Sequence, residues 1–193
     1  MSGEKGKRVP RAVAIVGIPL LVGALTFAAL ALFADDGRLR GGDDRGVGAP
    51  AEPVAVARED APELSGEDPI TGKEIALADF RGKPVVINIW ASWCPGCIDE
   101  AADLREFAAA HPEAVLLGVD FQDTFNGARA FYERWDWEHP SIFDSSGTQT
   151  AALGLLGLPT TLFLDARHRI AARVVGATDR AGFERGLELA TSG

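Results

Sequence analysis

The chain of 193 residues is poor in side chains that bind metals: it has two cysteines, three histidines and one methionine, which is the first residue. A fold held together by disulfides needs several cysteine pairs spread along the chain, whereas Cys94 and Cys97 are separated by only two residues. A structural zinc site usually takes four cysteine or histidine ligands, and there is no second cysteine pair. The two cysteines therefore form a pair that is either reactive or inert.

Positive charge is also scarce, since 19 basic residues face 28 acidic ones and the net charge is −9. Four of the basic residues lie within the first 33 positions beside a single glutamate, so the remainder of the chain is strongly acidic. The phosphates of a nucleic acid would repel such a body, which excludes a nucleic-acid partner. Hydrophobic residues make up 47% of the chain, enough for a packed core, so the composition does not indicate a disordered protein.

Residues 12–34 contain no charged side chain. A helix over this stretch reaches roughly 34 Å, enough for a bilayer core of about 30 Å. The basic residues before it predict a cytoplasmic tail at residues 1–11, followed by a transmembrane anchor and an exported body. The sequence thus predicts a single-pass protein of the cell membrane with its catalytic domain on the extracytoplasmic side. The alternative is a signal peptide cleaved after Ala29–Ala31, which sends the body to the same compartment.

Residues 35–63 are rich in Gly, Pro, Ala and Asp, which predicts a flexible linker, and residues 64–193 are predicted to form one globular domain. The domain should begin with a hairpin around residues 68–73. Hydrophobic periodicity then predicts further elements: a helical turn at 77–80, strands at 85–90, 114–119, 161–165 and 170–175, and helices at 94–110, 125–137 and 178–190. This order indicates an α/β fold with a mixed central sheet flanked by helices.

Cys94 directly follows the apolar run VVINIW at 85–90 and stands at the start of the predicted helix. A helix N-terminus offers free N–H groups and a partial positive charge, which favour the thiolate and make Cys94 the expected attacking, exposed thiol. Pro95 suits the first helical turn, and Trp93 shields one side. Cys97 lies on the same helix face, so it is the expected buried resolving thiol of a thiol–disulfide exchange.

The motif Trp93-Cys94-Pro95-Gly96-Cys97 resembles the active site of the thioredoxin superfamily, and the resemblance extends from about residue 64 to residue 190. Within it, the chain is similar to the membrane-anchored TlpA, ResA and CcmG (DsbE) proteins. The resemblance implies a thioredoxin fold in which the Cys94–Cys97 disulfide is the redox centre, without a bound cofactor or metal.

Two further matches support the resemblance. The run at 157–161 precedes a strand where the superfamily has its cis-proline loop, which implies a cis peptide bond before Pro159. Asn88 stands where thioredoxins have a buried aspartate, as in the TlpA-type branch. The resemblance implies that Leu158 and Pro159, together with Trp93 and Pro95, contact the substrate, and that the Leu158 backbone pairs with a substrate strand.

Glu100 follows Cys97 by one helical turn, and the ResA-like and CcmG-like proteins resemble this chain there. A carboxylate near two sulfurs opposes thiolate formation and can exchange protons with Cys97. The alternative is a simple preference of acidic side chains for the helix N-terminus. The three histidines are remote from the cysteines in sequence, and Trp135 and Trp137 are expected to serve packing.

The resemblance implies a specialised reductant of protein disulfides, serving cytochrome c maturation through apocytochrome c or serving a copper-site assembly protein. Its electrons would come from a membrane thiol donor of the CcdA or DsbD type. Two alternatives remain open: a disulfide-forming oxidase of the same fold, and a copper-binding chaperone that uses the cysteines as soft ligands. Copper sites usually recruit methionine or histidine as well, and neither stands near Cys94.

Overall fold

The computed structural model describes residues 48–192 of the chain. The predicted basic tail, the predicted transmembrane anchor and the predicted linker up to residue 47 lie outside these residues. Between residues 48 and 192, none of the helices combines the length and the hydrophobicity that crossing a bilayer requires.

Eight strands and four α-helices follow one another along the described chain, together with a short 3-10 helix at Leu77–Phe80. The strands are β1 (Val54–Asp60), β2 (Ser65–Glu67), β3 (Glu74–Ala76), β4 (Val85–Trp90), β5 (Val115–Phe121), β6 (Ser141–Asp144), β7 (Thr160–Leu164) and β8 (Arg169–Val175). The helices are α1 (Pro95–Ala110), α2 (Phe125–Trp135), α3 (Thr148–Ala152) and α4 (Arg180–Thr191).

Six strands form one mixed sheet in the order β1-β8-β7-β4-β5-β6, and β2 and β3 pair as a separate hairpin. Strand β4 is parallel to β5 and antiparallel to β7, and β5 is parallel to β6. All six residues of β4 are buried, as expected for an apolar run at the centre of a sheet. The mixed α/β sheet predicted from the sequence is therefore confirmed.

The sheet separates two hydrophobic clusters, because alternate residues of a strand point to opposite faces. On one face, Val86 and Trp90 pack with helices α1, α2 and α4. On the other face, Val85, Ile87 and Ile89 pack with the hairpin, the 3-10 helix and Leu153. Both cysteines belong to the first cluster, so the face that carries α1 also carries the candidate site.

Local signals explain where the main helices begin. Cys94 caps α1, and Pro95 occupies the first helical position, where its missing N–H costs nothing. The Thr124 hydroxyl accepts a hydrogen bond from the Gly127 amide at the start of α2. The Asp179 carboxylate accepts one from the Gly182 amide at the start of α4. The helical turn at 77–80, the hairpin β2–β3, helix α1 and the pair β7–β8 are all confirmed.

Three elements were not predicted: β1, β6 and α3. Strand β1 lies within residues 35–63, which the sequence analysis placed in a flexible linker. Most of its side chains are exposed, and its pairing with β8 is interrupted between Ala55 and Glu59. Such an edge strand has no hydrophobic pattern of its own and depends on a partner more than a hundred residues away. The structured chain therefore includes residues 54–60 in addition to the predicted domain.

Several predicted element bounds also differ from the structure by one or two residues, and three of them illustrate the reasons. Strand β5 continues two residues further, to Phe121, because Asp120 is in register with Trp90 of β4. Helix α2 ends at Trp135, since Asp136 adopts a left-handed conformation with φ of 54°. Helix α4 begins at Arg180, because Asp179 has an extended backbone and is the N-cap, its side chain accepting a hydrogen bond from the Gly182 amide.

Candidate active site

The two cysteines form a disulfide at the junction of β4 and α1, with their Cα atoms 5.3 Å apart. Cys94 occupies the N-cap position of α1, and its sulfur accepts a hydrogen bond from the Cys97 amide at 3.1 Å. An N–H group aimed at this sulfur also stabilises a thiolate there once the disulfide is reduced. This arrangement suits an exchange in which Cys94 attacks the substrate disulfide and Cys97 resolves the mixed disulfide.

The expected difference in exposure between the two cysteines is absent. Cys94 is 2% exposed and Cys97 is 1% exposed, so the prediction of an exposed Cys94 is wrong for this disulfide state. The physical reason is the packing around α1, since both sulfurs lie in the same hydrophobic cluster as Trp90 and Ala101. The assignment of attacking and resolving thiols thus depends on the helix position and not on exposure.

The cis-proline loop lies against the active-site turn. The peptide bond between Leu158 and Pro159 is cis, as predicted. A Cβ atom at Gly96 would lie 2.9 Å from Pro159 Cδ, so a larger residue at position 96 would push the two loops apart. The Leu158 amide and carbonyl form no backbone hydrogen bond with residues 48–192. They are therefore free to pair with an extended substrate segment.

Trp93 is exposed, with 55% of its surface accessible. Its indole N–H donates a hydrogen bond to the Gln122 carbonyl at 3.3 Å, and its ring lies near Phe121. Pro95 is exposed on the first turn of α1. Of the four residues predicted to contact the substrate, Trp93 and Pro95 thus lie at the surface, Leu158 is half-buried and Pro159 is buried.

Glu100 is buried and anchored by two donors. The Asn88 side-chain amide donates to Oε1 at 2.9 Å, and the Thr178 backbone amide donates to Oε2 at 3.1 Å. Asn88 also donates to the Thr161 hydroxyl at 3.1 Å. Burial raises the pKa of Glu100 to about 8, although both hydrogen bonds act in the opposite direction. A carboxyl with that pKa exchanges its proton near neutral pH, as a proton relay requires.

This environment corrects one expectation about Glu100. From the sequence, Glu100 was expected to carry a negative charge that opposes the Cys94 thiolate. With a pKa of about 8, the carboxyl is mostly protonated at pH 7 and exerts that effect only in alkaline solution. The hydrogen bonds also show that Glu100 is more than an exposed acid at a helix end. Asn88 and Thr178 were missed as its partners, because they lie 12 and 78 positions away in the chain.

Asp123 holds the segment that leads into the motif. Its Oδ2 accepts a hydrogen bond from the Ser92 amide at 2.6 Å, and its Oδ1 accepts one from the Ser92 hydroxyl at 3.0 Å. Since Ser92 immediately precedes Trp93 and Cys94, this carboxylate fixes the approach to the disulfide. No role for Asp123 was predicted from the sequence.

The histidines and the remaining tryptophans take part in other interactions. His111 lies 2.9 Å from Glu113, and no hydrogen bond joins a histidine to either cysteine. Trp137 packs against Trp90 and donates its indole N–H to the Ala101 carbonyl. Its predicted packing role is therefore confirmed. Among residues 48–192, no three His, Cys, Asp or Glu side chains are grouped to bind a metal ion.

Comparisons with known proteins agree with this geometry. The model of the AhpC/TSA family matches residues 57–173. A protein named thiol-disulfide oxidoreductase ResA, from Bacillus cereus, is 26% identical over 143 residues, which cover 70% of this chain and 83% of that protein. A protein named thiol:disulfide interchange protein DsbE, from Pseudomonas aeruginosa, is 32% identical over 119 residues, which cover 60% of this chain and 63% of that protein.

Solved structures give the same picture. A DsbF homologue from Corynebacterium diphtheriae matches with a TM-score of 0.66 and 27% identity, covering 79% of this chain and 99% of that chain. A secreted thiol-disulfide isomerase from Corynebacterium glutamicum matches with a TM-score of 0.64 and 27% identity, covering 77% of this chain and 95% of that chain. The thioredoxin-like fold predicted from the sequence is confirmed.

Proposed function

Since the chain belongs to the AhpC/TSA family, we propose that it is a thiol–disulfide oxidoreductase of the ResA and DsbE type, with Cys94 and Cys97 as its redox centre. One observation carries the proposal: the Cys94 sulfur caps α1 and accepts the Cys97 amide, with the partner sulfur already bonded to it. The family resemblance predicted from the cysteine motif is confirmed.

The reductive reaction proceeds in two exchanges. The Cys94 thiolate attacks one sulfur of a substrate disulfide; the substrate S–S bond breaks, and its other sulfur leaves as a thiolate that takes up a proton. The Cys97 thiol then loses a proton and attacks Cys94, which forms the Cys94–Cys97 disulfide and releases the second substrate thiol. Two electrons pass from the cysteine pair to the substrate. The opposite direction follows the same path in reverse.

Glu100 serves as the proton acceptor in the second exchange. It follows Cys97 by one helical turn, and its pKa of about 8 keeps both protonation states accessible near neutral pH. The donors Asn88 and Thr178 hold the carboxylate, the state that accepts the proton, in place. We assign Glu100 to proton transfer and the exposed ring of Trp93, with Pro95, Leu158 and Pro159, to substrate contact.

Trapping of mixed disulfides tests the redox centre. The Cys97→Ser variant should accumulate a mixed disulfide with a model disulfide-containing protein, since no resolving thiol is left. The matched Cys94→Ser variant should accumulate far less mixed disulfide, because Cys97 lies within the helix and not at its N-cap. Non-reducing electrophoresis and mass spectrometry give the yields. Equal trapping by both variants would contradict the assignment, and no reaction of the wild type would refute the function.

We further propose that the protein is a reductant, anchored in the membrane by residues 12–34, with its domain on the extracytoplasmic side. The uncharged span and its basic flank support the anchor, and the ResA and DsbE names of the relatives support a role in cytochrome c maturation or a related metalloprotein assembly. Apocytochrome c or a copper-site assembly protein is the proposed substrate class, and a CcdA- or DsbD-type protein is the proposed donor.

Two measurements test these finer assignments. A reductant should have a reduction potential near that of thioredoxin, about −270 mV. A strong oxidase should have a reduction potential of about −120 mV. Carbonate extraction of cell membranes should leave the full-length protein in the pellet. A soluble product that begins near Leu32 would show cleavage of the N-terminal span instead.

A further inference from the structure

The β8–α4 connection, residues 176–178, lies against two parts of the active site. The Gly176 amide donates a hydrogen bond to the Pro159 carbonyl of the cis-proline loop at 2.9 Å. A Cβ atom at Gly96 in the active-site turn would lie 3.7 Å from the Ala177 Cβ, which is an ordinary van der Waals contact. The connection therefore joins the two loops that surround the disulfide.

The last residue of the β8–α4 connection reaches the proposed proton acceptor. Thr178 is 4% exposed, and its backbone amide donates to Glu100 Oε2 at 3.1 Å. The other oxygen of Glu100 accepts the Asn88 side-chain amide. Because the Thr178 donor belongs to the backbone, its direction depends on how the connection is held in place.

Two hydrogen bonds with Ala51 hold the β8–α4 connection. The Ala51 amide donates to the Ala177 carbonyl at 2.8 Å, and the Thr178 hydroxyl donates to the Ala51 carbonyl at 2.6 Å. Consecutive residues of the connection thus bind both backbone groups of Ala51. The Thr178 hydroxyl also lies against Gly182 in the first turn of α4, where a Cβ atom would overlap with it. This tight packing leaves the hydroxyl little room to turn towards the helix.

An ion pair fastens the residue that follows Ala51. Arg185 of α4 donates to Glu52 Oε2 from Nε at 3.0 Å and from Nη2 at 2.7 Å. The two side chains are 44% and 66% exposed, so this pair stabilises the contact only weakly. The contact therefore rests mainly on the hydrogen bonds of Ala51, one of which comes from the buried Thr178 hydroxyl.

We propose that Ala51 and Thr178 are positioning residues of the active site: their two hydrogen bonds fix the β8–α4 connection, so that the Thr178 amide holds the Glu100 carboxylate ready for the proton of Cys97. Both residues act through Glu100 and not on the reacting sulfurs. If the connection loosens, the carboxylate loses a fixed donor, and its position relative to Cys97 is no longer set. The inference rests on the proposed exchange function and adds two residues to its second step.

The two steps of the exchange can be measured separately. The reduced full-length protein is mixed with an aromatic disulfide that releases coloured thiolates. Attack by Cys94 releases the first thiolate at a rate proportional to the disulfide concentration, and attack by Cys97 releases the second at a rate independent of it. Thr178→Val removes the hydroxyl that binds Ala51 and keeps the backbone amide. It should slow the second release by about three- to tenfold, the change expected from one lost hydrogen bond, and leave the first release unchanged.

Matched variants separate positioning from a general loss of stability. Thr178→Ser keeps a hydroxyl and should restore the second release. Thr191→Val removes a hydroxyl at the other end of α4, where it donates to the Leu187 carbonyl, and should leave both releases unchanged. In a Glu100→Gln background the proton acceptor is gone, so Thr178→Val should slow the second release no further. An equal slowing with and without Glu100 would overturn the positioning role.

A backbone variant keeps the inference testable if Thr178→Val does not fold. Ala51→Pro removes the amide that donates to the Ala177 carbonyl and should slow the second release by about threefold or more. The control Gly48→Pro should not slow it, since a Cβ atom at Gly48 would meet nothing within 4 Å. A normal second release in either Thr178→Val or Ala51→Pro would overturn the positioning role and leave the exchange function intact. A wild-type protein that releases neither thiolate would refute the function itself.

Discussion

Glu100 and Asp120 are both carboxylic acids buried near the active-site turn, and burial raises the pKa of each to about 8. Their surroundings differ. Glu100 receives two N–H donors, from Asn88 and Thr178, whereas the Asp120 oxygens have no hydrogen-bond partner among the described residues. Both oxygens of Glu100 therefore have a donor, whereas neither oxygen of Asp120 has one. Hydrogen bonds thus oppose the effect of burial on the Glu100 pKa, whereas the charge of Asp123 adds to the effect of burial on the Asp120 pKa.

The largest expected effect is on stability as a function of pH. A carboxyl whose pKa is raised on folding stabilises the native state below its unfolded pKa, and that contribution is lost as the pH rises to about 8. Relative to the wild type, Glu100→Gln and Asp120→Asn should each gain up to about 1.4 kcal/mol per pH unit between pH 5 and 8. Urea unfolding at several pH values measures this.

The double variant sharpens that comparison. If the two acids titrate independently, the gains of Glu100→Gln and Asp120→Asn should add, since they have different partners. For both variants, the gain in stability relative to the wild type should level off above pH 8. A single variant whose stability relative to the wild type is the same at pH 5 and pH 8 would show that its acid titrates normally in the folded protein.

Two glycines allow each site to be disturbed separately. A Cβ at Gly127 meets Asp123 and Ser92, while a Cβ at Gly182 meets the Thr178 hydroxyl beside Glu100. Each Gly→Ala substitution should cost about 1–3 kcal/mol, because a close-packed contact must open. Gly127→Ala should alter the titration of the Asp120 carboxyl group. Gly182→Ala should alter the titration of the Glu100 carboxyl group. Unfolding curves measure the loss of stability, and carboxyl titrations measure the two pKa values. A Gly127→Ala variant that changes only the Glu100 pKa, or a Gly182→Ala variant that changes only the Asp120 pKa, would contradict the prediction.

The smallest expected effect concerns the Cys94 thiol. Glu100 is mostly neutral below pH 8, so Glu100→Gln should leave the alkylation rate of Cys94 unchanged there and raise it only in alkaline solution. The same variant should slow resolution of the mixed disulfide, because glutamine cannot accept the Cys97 proton. Alkylation rates between pH 5 and 10 measure the first effect. A shift below pH 7 would show that Glu100 is ionised in the reduced protein.

Local chemistry made much of the fold predictable. The run from Val85 to Trp90 is apolar and β-branched, Pro95 marks the first turn of a helix, and the turn residues around Gly72 indicate a hairpin. Each signal acts within a few residues, so the order of elements and the position of Cys94 and Cys97 could be predicted. The three-residue spacing also placed Glu100 one turn after Cys97.

Long-range contacts decided the rest. Strand β1 is polar and mostly exposed, and only its pairing with β8 makes it a strand. The exposure of Cys94 was predicted wrongly, because burial depends on what packs around the helix.

The sequence by itself determined a cysteine pair at a helix N-terminus and an acid one turn beyond it, since both follow from the geometry of a single helix. Only the tertiary structure decided how each acid behaves. It brings Thr178 to Glu100 across 78 positions and Asp123 to Ser92 across 31. A carboxyl's pKa depends on its burial and its neighbours in space, and neither is fixed until the sheet and its helices have assembled.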